Sequence, residues 1–139
     1  TGDSSLSACV QSILAAEIGY EQKALEYFQY GLPMDLANVA GNVVDGAHIA
    51  SAGGVWMSLT YGFGGMRDFG GELGFNPRLP AAWHRLRFPL RYHARQIQVD
   101  MTHELLTFEL LEGEPIEITV NGAAHTLEPG TPLEVPAER

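Results

Sequence analysis

The segment from about Ala47 to Tyr61 constrains the fold more than any other part of this 139-residue chain. Its spacing predicts a helix, yet Ile49, Ala52, Val55, Trp56, Met57 and Leu59 spread around the wheel and leave no polar face. A helix that is apolar all round has to be enclosed by other elements. Gly53 and Gly54 lie inside it, where each costs about 1 kcal/mol of helix propensity relative to alanine. Close approach of a neighbouring backbone is expected to compensate.

Two helices are predicted before it. Leu6, Cys9, Val10, Ile13, Leu14 and Ile18 recur at intervals of three and four, with Asp3, Ser4 and Ser5 placed to cap the start and Gly19 to stop the end. Ala24, Leu25 and Phe28 carry a weaker repeat over Glu21 to Tyr30, which ends before Gly31 and Pro33. A short link between the two suggests a helical hairpin. Two amphipathic helices cannot enclose the third, so further sequence is expected ahead of Thr1. The missing initiator methionine and the absence of a basic-then-apolar leader pattern agree with a processed product or excised fragment.

The chain changes character near Pro77. Seven of eight prolines lie there or later, whereas ten of sixteen glycines fall between Gly41 and Gly74. Beyond Trp83 the period switches to two: Leu86, Phe88, Leu90, Tyr92 and Ala94 alternate with Arg85, Arg87, Pro89, Arg91, His93 and Arg95. The apolar set moves to odd numbers at Ile97, Val99 and Met101, so a turn near Ala94 to Gln96 is expected. Further strands are predicted at Leu106, Phe108, Leu110 and at Ile116, Ile118, Val120, with Asn121-Gly122 as a hairpin turn before Ala124 to Leu127. The expected fold is α+β: helices over 1–76, then a small antiparallel β-sheet or sandwich domain over 77–139.

Composition removes several classes of function. Eight basic against seventeen acidic residues give a formal charge of −9, which repels nucleic acid and anionic lipid. No apolar run approaches the length of a membrane span. The single cysteine, Cys9, excludes an internal disulfide and favours a reducing, cytoplasmic setting; on an apolar helix face it reads as core.

Candidate chemistry gathers at two helix starts. Asp3-Ser4-Ser5 and Asp45-Gly46-Ala47-His48 place hydroxyls, an imidazole and free amides where the macrodipole is positive. If the two ends converge, they bind phosphate; the plainer reading is capping alone. Glu17 falls on the apolar stripe of the first helix, where a carboxylate must be paired or protonated, and it has no second carboxylate at helical spacing. Six arginines between Arg67 and Arg95 form either a surface for a sugar phosphate or an acidic partner, or a strand face that pairs with the acidic strands, which hold nine acids between Asp100 and Glu138, or with an adjacent domain. His84, His93, His103 and His125 lack metal-ligand spacing. Gly62-Phe63-Gly64-Gly65-Met66-Arg67 follows a helix and lacks the lysine of a phosphate loop, so it reads as a tight connector.

Several runs together resemble the C-terminal end of glycoside hydrolase family 65. They are Gly2-Asp3-Ser4-Ser5-Leu6-Ser7-Ala8, Asp45-Gly46-Ala47-His48-Ile49-Ala50, Gly53-Gly54-Val55-Trp56-Met57, Tyr61-Gly62-Phe63-Gly64-Gly65-Met66-Arg67, Leu79-Pro80 and Trp83. The resemblance is dense from about Gly2 to Phe88 and looser beyond. It implies the terminal helices of an (α/α)6 barrel followed by a β-domain. It also implies an inverting disaccharide phosphorylase, in which phosphate attacks the anomeric carbon of an α-glucoside while one glutamic acid protonates the leaving oxygen. Phosphate replaces the water and its base, so one protein carboxyl group suffices. The partners implied are an α-linked glucose disaccharide and inorganic phosphate as co-substrate, with no cofactor or metal. A homo-oligomer is also expected, joined through exposed apolar helices or through the intact barrel.

Carried over by position, Ser4, Ser5 and His48, with the amides of Gly46 and Ala47, match the family's phosphate site. No catalytic residue is carried over: the family's glutamate and its sugar-gripping lysine-glutamine pair belong upstream, and Glu17 does not match the acid. The fragment alone is therefore expected to be inactive. Ala94-Arg95 departs from the arginine-glycine found in many relatives at the first strand turn. Two other readings remain, a family 65 hydrolase using water and a non-catalytic module that braces a partner domain. The second predicts a large exposed apolar surface on the helices.

Overall fold

The computed structural model describes residues 5–33 and 49–137, with the backbone alone for Ser5 and Leu6. The chain divides into two compact units, Thr1–Phe63 and Gly64–Arg139.

The first unit contains α1 (Ser5–Glu17), α2 (Glu21–Gly31) and α3 (Ile49–Met57), and α3 runs on into a π-helical turn over Ser58–Phe63. Gly19 ends α1 as the sequence predicts. Its φ of 80° lets its amide reach the Ala16 carbonyl and that of Tyr20 reach Ala15, which satisfies two carbonyls that the helix leaves open. The chain then reverses, and α2 returns antiparallel to α1, with Ser12 Oγ donating to the Ala24 carbonyl at 2.8 Å and Gly31 lying against Ala8 and Cys9.

The face of α1 that is buried differs from the expected stripe. Ala8, Cys9, Ser12, Ala15 and Ala16 are buried, whereas Val10, Leu14 and Ile18 are more than half exposed. Small side chains allow the helix axes to come close, and that closeness selects the small face. Gly54 marks the tightest point: a Cβ there would stand 2.9 Å from both Cβ and Sγ of Cys9. A Cβ on Gly53 would meet nothing within 4 Å, so close packing accounts for one glycine of the pair. Glu17 is exposed and not on the buried face. Near the end of α3, Ser58 Oγ bonds the Gly54 carbonyl at 3.0 Å and Thr60 Oγ1 the Trp56 carbonyl at 3.1 Å, where the helix widens into its π turn.

The second unit is a sandwich of two four-stranded sheets. The strands are β1 (Met66–Arg67), β2 (Leu73–Phe75), β3 (Leu86–Tyr92), β4 (Arg95–Met101), β5 (Leu105–Glu112), β6 (Ile116–Val120), β7 (Ala123–Leu127) and β8 (Leu133–Pro136). One sheet has the order β3-β4-β5-β8 and is antiparallel throughout. The other has the order β1-β2-β6-β7, and its β2–β6 pair is parallel, a departure from the purely antiparallel expectation. The reason is topological: β3 to β5 form the opposite sheet before the chain returns at β6, and a strand that returns after crossing away is free to align in the same direction.

Inward positions are the alternating apolar residues. Phe88, Ile97, Val99, Met101, Leu106, Phe108 and Leu110 line one sheet, and Leu73, Phe75, Ile118, Val120 and Leu127 the other. The Phe75 and Phe108 rings meet between them with centroids 4.9 Å apart. The unit takes in Gly64–Asn76, which the proline pattern had grouped with the helices, because β1 and β2 pair with β6 and not with a helix. The close approach that makes the connector tight falls at Gly65. Its φ is 62°, and a Cβ would overlap the Asn76 carbonyl, to which Gly65 is tied by the bond from Asn76 N to Gly65 O.

The first hairpin turn is His93-Ala94, one residue ahead of the expected place, and both residues have positive φ (45° and 60°). Its two-residue loop pairs Tyr92 with Arg95, so the register sum is odd and the inward set changes parity between β3 and β4. Asn121-Gly122 forms the second such turn, as predicted. Among the described residues no helix is long and apolar enough to cross a membrane.

Two outcomes follow from this packing. Gly53→Ala should stabilise the helical unit by about 1 kcal/mol through propensity. Gly54→Ala should destabilise it, since overpacking of about 1–3 kcal/mol against Cys9 outweighs the same gain; thermal unfolding followed by far-ultraviolet circular dichroism separates the two. In the sandwich, Ala94→Gly should raise stability by about 1 kcal/mol by relieving a left-handed alanine, measured as an increase in denaturant midpoint.

Candidate phosphate site

The helical unit owes its usable chemistry to the direction in which α1 and α3 run. Cys9 Sγ lies 4.0 Å from the Ser51 carbonyl, and Ser58 Oγ donates to the Cys9 carbonyl at 3.2 Å. Further along, Gly62 packs against Ile13 and Ala16. The contacts advance in the same sense on both helices, so α1 and α3 are parallel and their N-terminal ends lie at the same end of the pair. Each helix directs its first amides and the positive pole of its dipole that way. Among the described residues, neither has an acidic side chain in its first turn.

Of the residues expected to bind phosphate, Ser4, Gly46, Ala47 and His48 lie outside the described residues, and Ser5 is described only as the first residue of the α1 backbone. The remaining candidates take structural places. Burial raises the pKa of the Cys9 thiol above its ordinary value, which keeps it protonated and unreactive at neutral pH. His103 Nε2 donates to the Trp83 carbonyl at 2.7 Å. Among the described residues no cluster of three histidine, cysteine or acidic side chains could hold a metal ion.

The arginines are largely engaged by the sandwich itself. Arg85 grips Asp100 with Nε at 2.7 Å and with Nη2, while Arg87 approaches the same carboxylate at 3.8 Å from the paired position on β3. Arg95 donates to the carbonyls of His93, Glu114 and Pro115, tying the first hairpin to the β5–β6 turn. Arg91 faces a surface hollow of about 400 Å³ shared with His93, Gln96 and Glu112.

Sequence reasoning passed over the buried hydroxyls of the helical unit. Ser12, Ser51, Ser58 and Thr60 are all nearly inaccessible. Their signal was available as polar residues at positions facing glycine and alanine, but a stripe defined by large apolar side chains hides it.

Comparison with known proteins gives the unit boundaries a meaning. The model for the Glycosyl hydrolase family 65 central catalytic domain matches residues 1–57, and that for the Glycosyl hydrolase family 65, C-terminal domain matches residues 66–127. The chain belongs to glycosyl hydrolase family 65 and carries the end of its catalytic domain together with its C-terminal domain. An alpha,alpha-trehalose phosphorylase of Thermoanaerobacter brockii is 53% identical over 118 residues, which is 85% of this chain and 15% of that protein. The maltose phosphorylase of Bacillus subtilis (strain 168) is 40% identical over 118 residues, 85% of this chain and 16% of that protein. A solved structure from human microbiome, provisionally assigned as a kojibiose phosphorylase, superposes with a TM-score of 0.89 at 26% identity and covers 98% of this chain and 20% of its own. The chain thus spans a fifth or less of the length of these relatives.

The Arg85–Asp100 pair makes a pH prediction. Hydrogen bonding to Arg85 lowers the Asp100 pKa below the ordinary carboxylate value. A depressed folded-state pKa gives stability that is present above the unfolded value and is lost as pH falls through the folded one. The melting temperature should therefore fall below about pH 4 more steeply in the parent than in Asp100→Asn, with the two curves converging in acid.

Proposed function

We propose that this chain forms the C-terminal end of an inverting disaccharide phosphorylase and supplies its phosphate site. Ser4, Ser5 and His48, with the amides of Gly46 and Ala47, hold inorganic phosphate. The observation that carries this reading is the parallel packing of α1 and α3, since two helix starts facing one way concentrate amide donors and positive potential where an oxyanion can be received. The names of the relatives, trehalose and maltose phosphorylases, support it independently.

In the reaction, a phosphate oxygen attacks the anomeric carbon of an α-glucoside as the bond from that carbon to the leaving oxygen breaks. A glutamic acid supplied by the rest of the enzyme protonates the leaving oxygen, and the product is a β-sugar 1-phosphate. The role of this chain is to fix the nucleophile on the face opposite the leaving group and to reduce the repulsion between its charges as it approaches. His48 and the serine hydroxyls contribute donors, so that no carboxylate base is required.

The helices are the last of an (α/α)6 barrel in this reading. The exposed line of Val10, Leu14 and Ile18 on α1 supports it, because such a stripe calls for apolar neighbours. The buried free thiol of Cys9 suits a reducing, cytoplasmic enzyme.

The enzyme that carries this chain, assayed with trehalose, maltose and kojibiose, should turn over its substrate only when inorganic phosphate is supplied and should release the β-anomer. Equal turnover without phosphate would reject the reading in favour of a hydrolase. His48→Ala should lower phosphorolysis by roughly a hundredfold, in the range seen on removing one oxyanion donor, and His48→Glu should gain some phosphate-independent hydrolysis.

A further inference from the structure

We propose that Ser51 is a positioning residue of the oxyanion site, whose hydroxyl acquires its hydrogen-bond partner, directly or through one ordered water, only when the anion is bound. The inference rests on the reading of the shared α1/α3 end as a phosphate site. Among the described residues of the helical unit, four that carry hydroxyls are buried. Ser12 donates to the Ala24 carbonyl, Ser58 to the carbonyls of Cys9 and Gly54, and Thr60 to that of Trp56. Ser51 alone of the four is left over: the residue is 2% exposed, and its Oγ has no partner among the described residues. An unsatisfied buried hydroxyl is costly, so one that persists in the first described turn of α3 indicates a partner that arrives from elsewhere.

Geometry gives the direction from which it comes. Along a helix the Cα–Cβ bond tilts towards the N-terminus, so the Ser51 hydroxyl leans towards the amide-bearing end of α3. The backbone of the same residue faces Cys9, one turn inside α1. The Ser51 side chain therefore starts from the part of α3 that meets α1, in the direction of the helix start. There the field repels a cation, and a neutral donor adds a hydrogen bond to an anion without adding charge. A tetrahedral oxyanion, with several acceptors to share, is the ligand chemistry that answers to a hydroxyl and two sets of amides together.

The test uses the whole enzyme that carries this chain, with inorganic phosphate as the probe. Ser51→Ala should leave the melting temperature in phosphate-free buffer unchanged or raised, because it deletes an unsatisfied group. It should raise KM for phosphate about tenfold while KM for the disaccharide stays within about twofold, and it should shrink the rise in melting temperature that phosphate produces. An unaltered KM for phosphate, or an equal rise for both substrates, would overturn the proposal. His48→Ala, run in parallel, separates the two levels: a silent Ser51→Ala beside a His48→Ala variant with impaired phosphate use refutes the role of Ser51 alone. Two variants that both leave phosphate use intact refute the site itself.

Discussion

Contact between Gly54 and Cys9 is the constraint on which the helical unit depends. With no side chain on one helix and a small one on the other, α1 and α3 approach until an added Cβ would stand 2.9 Å from the cysteine. That closeness has three consequences. It turns the alanine and serine face of α1 inward, and it brings Ser58 within hydrogen-bond reach of the Cys9 carbonyl across the interface. It also fixes the two helices side by side and parallel, so that their N-terminal ends lie at the same end of the pair. A larger residue at position 54 would part the helices and weaken all three together.

The sandwich rests on a different principle. Its strands hold an apolar layer between two sheets, with Phe75 from one meeting Phe108 from the other, and this layer needs only alternation to form. Polar side chains then secure the periphery. Arg95 satisfies three turn carbonyls, Arg85 and Arg87 flank Asp100, and Tyr92 Oη donates to the Gly71 carbonyl at 2.8 Å. The arginine-rich strand that could be taken for an anion surface is thus mostly committed to holding its own unit together.

The two units therefore contribute differently to the proposed phosphorylase. In that reading the helical unit provides the directed amides and dipoles of two helices whose starts face the same way. The sandwich core provides no reactive side chains, and the polar groups on its rim mostly pair within the unit. Family membership follows the same division, with the catalytic-domain match ending at residue 57 and the C-terminal-domain match beginning at residue 66.

The order of the described helices and of β3 to β7 was legible in the residues, with Gly19 as a stop and the inward Ile97, Val99, Met101, Leu106, Phe108, Leu110, Ile118 and Val120 all in the alternation, whereas β1, β2 and β8 were not among the expected strands. Such features are local, since period and turn chemistry act over a few residues. The resemblance to family 65 was likewise carried by short runs of sequence. Tertiary structure alone decided that Val10, Leu14 and Ile18 would face outward, that β2 would pair in parallel with β6, and that Gly64–Asn76 would join the strands. It also decided that the hydroxyl of Ser51, unlike those of Ser12, Ser58 and Thr60, would lack a partner among the described residues. These outcomes depend on how closely distant segments approach one another, and spacing along a chain carries no measure of that distance.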